Sequence, residues 1–354
     1  MGIIKEALTF DDVLLEPKYS NILPSDTNTN IKLSTNLKLK IPLLSSAMDT
    51  VTESKMAISI AKAGGIGVIH RNLSVDDQIK EVRKVKSKKL LVGAAIGVSN
   101  TEFERAKKII KQNIDLLVID TAHGHSKKVE DIIKKIKKIK SNKTALCAGN
   151  IATFEAAKFL INLGVDILKV GIGPGSICTT RIVAGIGVPQ ITAILEAKKA
   201  RKDKKISIIA DGGIKFSGDI VKALVAGADA VMIGSLFAGS KETPGKILKF
   251  KGKQYKGFRG MGSIGAMNKG SADRYFQKKQ SDNSKYVPEG VEGLVKYKGP
   301  VDKIIFQLMG GLKSSMGYLG SKDIITLKKN NKFVKITKAG FYESMVHNVD
   351  KLKL

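Results

Sequence analysis

Eight short apolar runs recur along this chain of 354 residues, each followed by a glycine-rich or polar loop and then by an amphipathic segment. They lie at residues 41–45, 67–70, 91–95, 116–120, 144–148, 167–170, 206–210 and 230–233. Nearly every position in them is apolar, as in parallel strands buried on both faces. Helical periodicity fills residues 53–63, 75–85, 101–112, 127–140, 154–162, 189–201 and 217–226, with helix ends at Asn162-Leu163-Gly164 and Ala226-Gly227. Eight strand–helix units are enough to close a parallel sheet on itself. The expected fold is therefore α/β, a (β/α)8 TIM barrel spanning 1–354 as one domain, with an open doubly wound sheet as its rival.

The eighth unit is irregular. Residues 236–300 are rich in glycine, lysine and aromatics and show no sustained periodicity before a helical stretch at 301–308. A structureless insertion of this length reads as a lid or binding loop, and it begins on the face where barrel active sites lie. The tail from Ile324 to Leu354 carries an alternating patch at 333–337, suited to wrapping a surface or a neighbour.

Charge does not decide the function. The net charge is +29, yet of the 61 basic residues only positions 71, 83, 105, 181, 201, 259 and 274 are arginine. The lysines spread along helical faces, no zinc-finger, RRM or KH pattern occurs, and nucleic acid is not expected as the main partner. No stretch approaches the roughly 18 consecutive apolar residues of a membrane span. The first residues, Met1 to Glu6, lack the apolar run of a signal peptide, and two cysteines provide no disulfide framework. A cytoplasmic setting is the expectation.

Chemistry concentrates at the strand ends. After the sixth run comes Gly171-Ile172-Gly173-Pro174-Gly175-Ser176-Ile177-Cys178-Thr179-Thr180-Arg181. Such a loop can hold an anion or present a nucleophile. Cys147 sits inside an apolar run and reads as an idle buried thiol, whereas Cys178 stands among small and hydroxylated residues. Asp211-Gly212-Gly213-Ile214 and Gly234-Ser235 end the seventh and eighth runs, where barrels commonly bind phosphate; tight turns alone would also explain these glycines. Asp120 ends the fourth run and faces the mouth. His123 and His125 beyond it could in principle ligate a metal, but they lack further ligands at a known spacing. No histidine is an evident partner for Cys178.

The motif Gly-Ser-Ile-Cys-Thr-Thr-Arg, with Asp211-Gly212-Gly213-Ile214, Arg259-Gly260-Met261-Gly262-Ser263, residues 44–52 and residues 8–13, closely resembles the family of inosine-5′-monophosphate (IMP) dehydrogenase and GMP reductase. Asp273-Arg274-Tyr275-Phe276-Gln277, residues 287–293 and residues 310–318 are similar to the dehydrogenase branch, whose mobile flap handles water. The resemblance implies NAD-dependent oxidation of IMP to xanthosine 5′-monophosphate (XMP). The alternatives are a reductase that deaminates GMP with NADPH and, more remotely, a non-enzymatic nucleic-acid-binding barrel. It also implies Cys178 as nucleophile, with Thr180, Arg274 and Tyr275 completing the catalytic set. Ser46, Met48, Ser176, Asp211, Gly213, Gly234, Ser235, Met261, Gly262 and Glu289 are the substrate residues so implied. Asp120, Thr121, Asn150, Gly171 and Gly173 would meet NAD. A potassium ion would take carbonyls of Gly173, Gly175 and Cys178 together with a neighbour's Glu343, Ser344 and Met345, in a homotetramer. Two departures stand out. The regulatory CBS pair is missing near 86–89, and Phe258 replaces a tyrosine that contributes a hydroxyl to phosphate binding.

Overall fold

A computed structural model of the chain describes residues 4–329 and 331–346. Its centre is a closed barrel of eight parallel strands: β1 (Leu43–Ser45), β2 (Ile66–Ile69), β3 (Val92–Ile96), β4 (Leu116–Asp120), β5 (Ala145–Ile151), β6 (Ile167–Val170), β7 (Ser207–Asp211) and β8 (Ala230–Ile233). Closure is made by β8 on β1, with Val231 opposite Leu43, Met232 opposite Leu44 and Ile233 opposite Ser45. That pairing excludes the open sheet. Around the barrel run α1 (Ser54–Lys62), α2 (Val75–Lys86), α3 (Asn100–Ile110), α4 (Lys127–Lys137), α5 (Phe154–Asn162), α6 (Gln190–Arg201), α7 (Ser217–Ala226) and α8 (Val301–Tyr318). Ser74, Ser99 and Thr153 cap α2, α3 and α5 by accepting from backbone N–H groups of the first turn. In α4, Val129, Ile132, Ile133 and Ile136 are buried, while its lysines occupy the solvated face.

Three expectations from sequence need correction. First, residues 236–300 are not structureless. Leu248–Phe250, Lys253–Arg259 and Glu292–Lys296 form a separate three-stranded antiparallel sheet, with short helical turns at 264–275 between the last two strands. The pairing of Gly257 with Leu294 is long-range, so no local period announces it. Second, β5 runs on through Gly149 and Asn150 to Ile151, because Asn150 finds polar partners at the mouth. Third, α8 continues past residue 308 and through Gly310-Gly311. A β-carbon at Gly311 would come within 2.1 Å of Ser217 Oγ and 2.4 Å of Ser217 Cβ, so glycine lets α8 lie close against α7. Gly311→Ala is expected to cost about 1–3 kcal/mol despite alanine's better helix propensity. A lowered melting temperature would confirm this, and an unchanged or raised one would refute it.

The chain passes from α2 to β3 through Ser87–Leu91 alone, so no domain is inserted there. Within the tail, Phe333–Lys335 pairs antiparallel with Val13–Leu15. Residue 330 and residues 347–354 of the expected tail, including His347, lie outside the described residues.

Candidate active site

The carboxyl ends of the barrel strands surround one deep cavity. The cysteine loop, the glycines after β7 and β8, the loop after β1 and the insertion all reach it. Cys178, Thr180, Arg274 and Tyr275 line it together, and Cys178 Sγ lies 3.2 Å from Thr180 Oγ1. Ser46, Met48, Ser176, Asp211, Gly213, Gly234, Ser235, Met261 and Glu289 also line it, as do Asp120, Asn150, Gly171, Gly173 and Gly175.

Close packing explains several glycines. Gly171 has φ +145°, and a β-carbon there would sit 2.1 Å from the Asp211 carbonyl oxygen. At Gly234 it would meet Met48 Sδ at 3.0 Å. Side chains at these two positions would narrow the cavity. The cysteine loop is held by Arg181, whose guanidinium donates to the carbonyls of Ile172 (3.2 Å) and Val188 (2.6 Å).

The insertion closes over this loop. Thr179 N–H donates to the Glu289 carbonyl at 3.0 Å, and Val291 N–H to that of Ile177 at 3.0 Å. Gly262 does not line the cavity; it lies beneath the flap, where a β-carbon would be 2.8 Å from the Tyr275 ring. Phe258 is buried at the cavity wall and has no group to donate there.

A buried charge cluster lies at the other side of the mouth. Lys169 Nζ on β6 donates to Asp120 Oδ1 (2.8 Å), to Asp211 Oδ2 (3.0 Å) and to Asn150 Oδ1. Asn150 Nδ2 donates to Asp211 Oδ2 at 2.9 Å and to the Gly171 carbonyl at 2.7 Å. From the flap, Arg274 forms an ion pair with the second Asp120 oxygen. Burial opposes ionisation of Asp120, but Arg274 and Lys169 outweigh it and hold the carboxyl well below the usual range. Burial likewise opposes the charge on Arg274, but Asp120 outweighs it and holds the guanidinium above its ordinary value. Burial pushes the Tyr275 phenol up, so it remains protonated at neutral pH.

The sequence model described as the IMP dehydrogenase / GMP reductase domain matches residues 7–347. The chain belongs to the IMP dehydrogenase / GMP reductase family. It is 50% identical over 397 aligned residues to the inosine-5′-monophosphate dehydrogenase of Borreliella burgdorferi, covering 98% of each chain. It is 48% identical to that of Cryptosporidium parvum, covering 99% of this chain and 97% of the relative. It is 42% identical to that of Staphylococcus aureus over 477 aligned residues, with the same coverages. That alignment is longer than this chain's 354 residues, so the staphylococcal relative carries segments absent here.

One further expected position falls elsewhere. Thr121 is buried behind the mouth, its hydroxyl donating to the Gly149 carbonyl at 2.8 Å, and it does not line the cavity. Glu343, Ser344 and Met345, expected to act from a neighbouring copy, lie at the end of the helix Lys338–Glu343, which packs beside Phe10–Asp12. The His125 ring packs on Phe159 with centroids 4.7 Å apart, which gives it a packing role. Among the described residues no group of three or more His, Cys, Asp or Glu could hold a metal ion.

Sequence reasoning missed Lys169. The available signal was a lysine in a strand buried on both faces, a charge that must find partners. The two thiols differ as expected from sequence. Cys147 is fully buried and its thiol is pushed up to about 12 by that burial, whereas Cys178 opens on the cavity. Iodoacetamide at neutral pH is therefore expected to modify one thiol per chain, at Cys178, as peptide mass mapping would show. Comparable labelling of Cys147 would contradict this arrangement.

Proposed function

We propose that this protein is an IMP dehydrogenase that oxidises IMP to XMP through a covalent adduct on Cys178. The observation that carries the reading is the flap, with Arg274 paired to Asp120 and Tyr275 beside it, roofing the same cavity that Cys178 lines. A reductase that expels ammonia has no use for such a water-handling pair, and the relatives reported above bear the dehydrogenase name.

Ser176, Gly213, Gly234 and Ser235 hold the phosphate of IMP, and Asp211 accepts from the ribose hydroxyls. Met48 packs on the purine, while Met261 and Glu289 read its edge. With Phe258 supplying no hydroxyl, the phosphate relies on the loop glycines and serines. The Cys178 sulfur attacks C2 of the purine, the C2–S bond forms, and the C2 hydrogen leaves as hydride, giving a thioimidate. NAD, when bound, accepts that hydride. Asp120, Asn150, Gly171 and Gly173 suit the nicotinamide end, since a carboxylate beside glycines can take a ribose diol at close range. Arg274 and Tyr275 then occupy the mouth and exclude bulk solvent. Water adds at C2, the C–S bond breaks, and XMP leaves with Cys178 restored. The sum is IMP + NAD⁺ + H₂O → XMP + NADH + H⁺.

The family assigns the base role to Arg274, with Tyr275 and Thr180 on the same water. The Asp120 pair works against deprotonation of Arg274. If Arg274 is the base, breakdown of preformed adduct should accelerate with pH through the neutral range, approaching tenfold per unit. A flat profile would leave Arg274 as an orienting cation. Arg274→Ala is expected to slow hydrolysis about 10²–10⁴-fold while the first NADH still forms. Rapid-mixing absorbance measurement tests the whole reading: no NADH and no XMP from IMP and NAD would overturn it.

Carbonyls of Gly173, Gly175 and Cys178 are hard oxygen donors on one loop, where Cys178 N–H also donates to the Gly175 carbonyl at 3.2 Å, and this donor chemistry suits a potassium ion. The carbonyls of Glu343, Ser344 and Met345 from a neighbouring copy complete the set in a homotetramer. No helix among the described residues is long and apolar enough to cross a membrane, and with two cysteines, one of them nucleophilic, a reducing cytoplasm suits the enzyme.

A further inference from the structure

Arg71, just beyond β2, is nearly buried, and its guanidinium grips the flap. Nη2 donates to Asp273 Oδ1 at 2.6 Å and Nη1 to Asp273 Oδ2 at 3.2 Å, a two-point contact on the residue preceding Arg274. Nη1 also lies 3.5 Å from the Gly270 carbonyl. The grip is anchored from behind. Glu102 Oε2 stands 4.0 Å from Arg71 Nη1 and accepts from Gly97 N–H at 2.6 Å. Its other oxygen accepts from Arg105, which donates in turn to Gln78 and to the Leu73 carbonyl. Gly97 leaves room for the pair, since a β-carbon there would sit 2.9 Å from Asp273 Oδ2 and 3.0 Å from Arg71 Nη1. Apart from Ala122 N–H donating to the Arg274 carbonyl at 3.1 Å, the described contacts of Asp273 and Arg274 with the barrel rim are these charge pairs and the Asp120 pair.

We infer that Arg71 is a positioning residue for hydrolysis, latching the flap shut through Asp273 so that Arg274 and Tyr275 are delivered to the water. The inference rests on the proposed dehydrogenase reaction. Asp120 serves both the closed flap and the proposed cofactor site, so the two states compete. Loosening the latch disfavours the closed flap and favours cofactor entry. The chemical step to NADH is untouched and the water step suffers.

Arg71→Gln, Arg71→Lys, Asp273→Asn and the exchanged pair Arg71→Asp/Asp273→Arg would be compared with wild type by rapid mixing with IMP and NAD. For Arg71→Gln we expect a first-turnover NADH burst within about twofold of wild type, with steady-state turnover down on the order of tenfold and a lower KM for NAD. The loss is modest because Asp273 is partly solvated. Asp273→Asn should match it, the exchanged pair should recover part of the turnover, and Arg71→Lys should lie between. Asp273→Asn tests the same contact from the exposed side should Arg71→Gln fold poorly. Equal loss of burst and steady state, or unchanged turnover in both single variants, would overturn the latch. Absence of NADH from wild type would instead overturn the reaction on which it rests.

Discussion

Replacing Cys178 by alanine is expected to abolish NADH formation from IMP and NAD, a loss on the order of 10⁴-fold or more, while the protein remains folded. Without the sulfur no adduct forms at C2, and hydride cannot leave from an unactivated purine. The fold does not depend on that sulfur. The loop's shape comes from Arg181 on the Ile172 and Val188 carbonyls, from Thr179 N–H on the Glu289 carbonyl and from the Cys178 backbone on Gly175. The described side-chain contact of Sγ is with Thr180 Oγ1, a weak bond beside an open cavity. Stability should therefore change by less than about 1 kcal/mol, within the usual range for substitutions away from core packing. IMP should still bind, because the residues proposed to hold its phosphate and ribose are others. Calorimetric titration with IMP, a thermal melt and an NADH assay together decide the matter. A folded variant that binds IMP and turns over at the wild-type rate would end the covalent mechanism.

The sequence made the barrel legible because each unit carries its own signal. A strand buried on both faces is an uninterrupted apolar run. A helix against it shows a 3.6-residue period, and the bounds of α5 and α7 agree to the residue where capping or glycine ends them. Long-range pairing was not legible. The three-stranded sheet of the insertion joins residues 253–259 to 292–296 across the flap, and nothing local in either strand names its partner. Much of the site was read from motif resemblance, and its charge cluster was only half seen. Asp120 and Asp211 stood out at strand ends, whereas Lys169 was hidden inside an apolar run. Arg71 could have been found: in a chain that uses lysine almost everywhere, an arginine beside a strand end marks a place where a planar, two-point donor is wanted.

Lys169 should also be the most costly single position to neutralise. It is fully buried, and its ammonium lies between Asp120 and Asp211. Lys169→Met fills much the same volume but leaves two carboxylates facing one another with Arg274 as the remaining cation of the cluster. Breaking a buried pair in this way costs about 3–5 kcal/mol. Burial disfavours the Lys169 charge, but Asp120 and Asp211 outweigh it and raise the ammonium above its ordinary value, while Asp120 is held below its own. The signs then fix the pH window. The Asp120 contribution is present above the ordinary carboxylate value near 3.9 and is lost as pH falls through the lower folded value. The Lys169 contribution is present below about 10.4 and is lost as pH rises through its higher folded value. The stability gap between wild type and variant should therefore be wide from about pH 4 to 10 and narrow at either extreme. Lys169→Arg, which keeps the charge, should retain more stability than Lys169→Met. Urea melts at pH 7 and pH 3 would measure the gap. Equal stability at pH 7 would mean that Arg274 and Asn150 already compensate both carboxylates, and that Lys169 is not the keystone of this charge cluster.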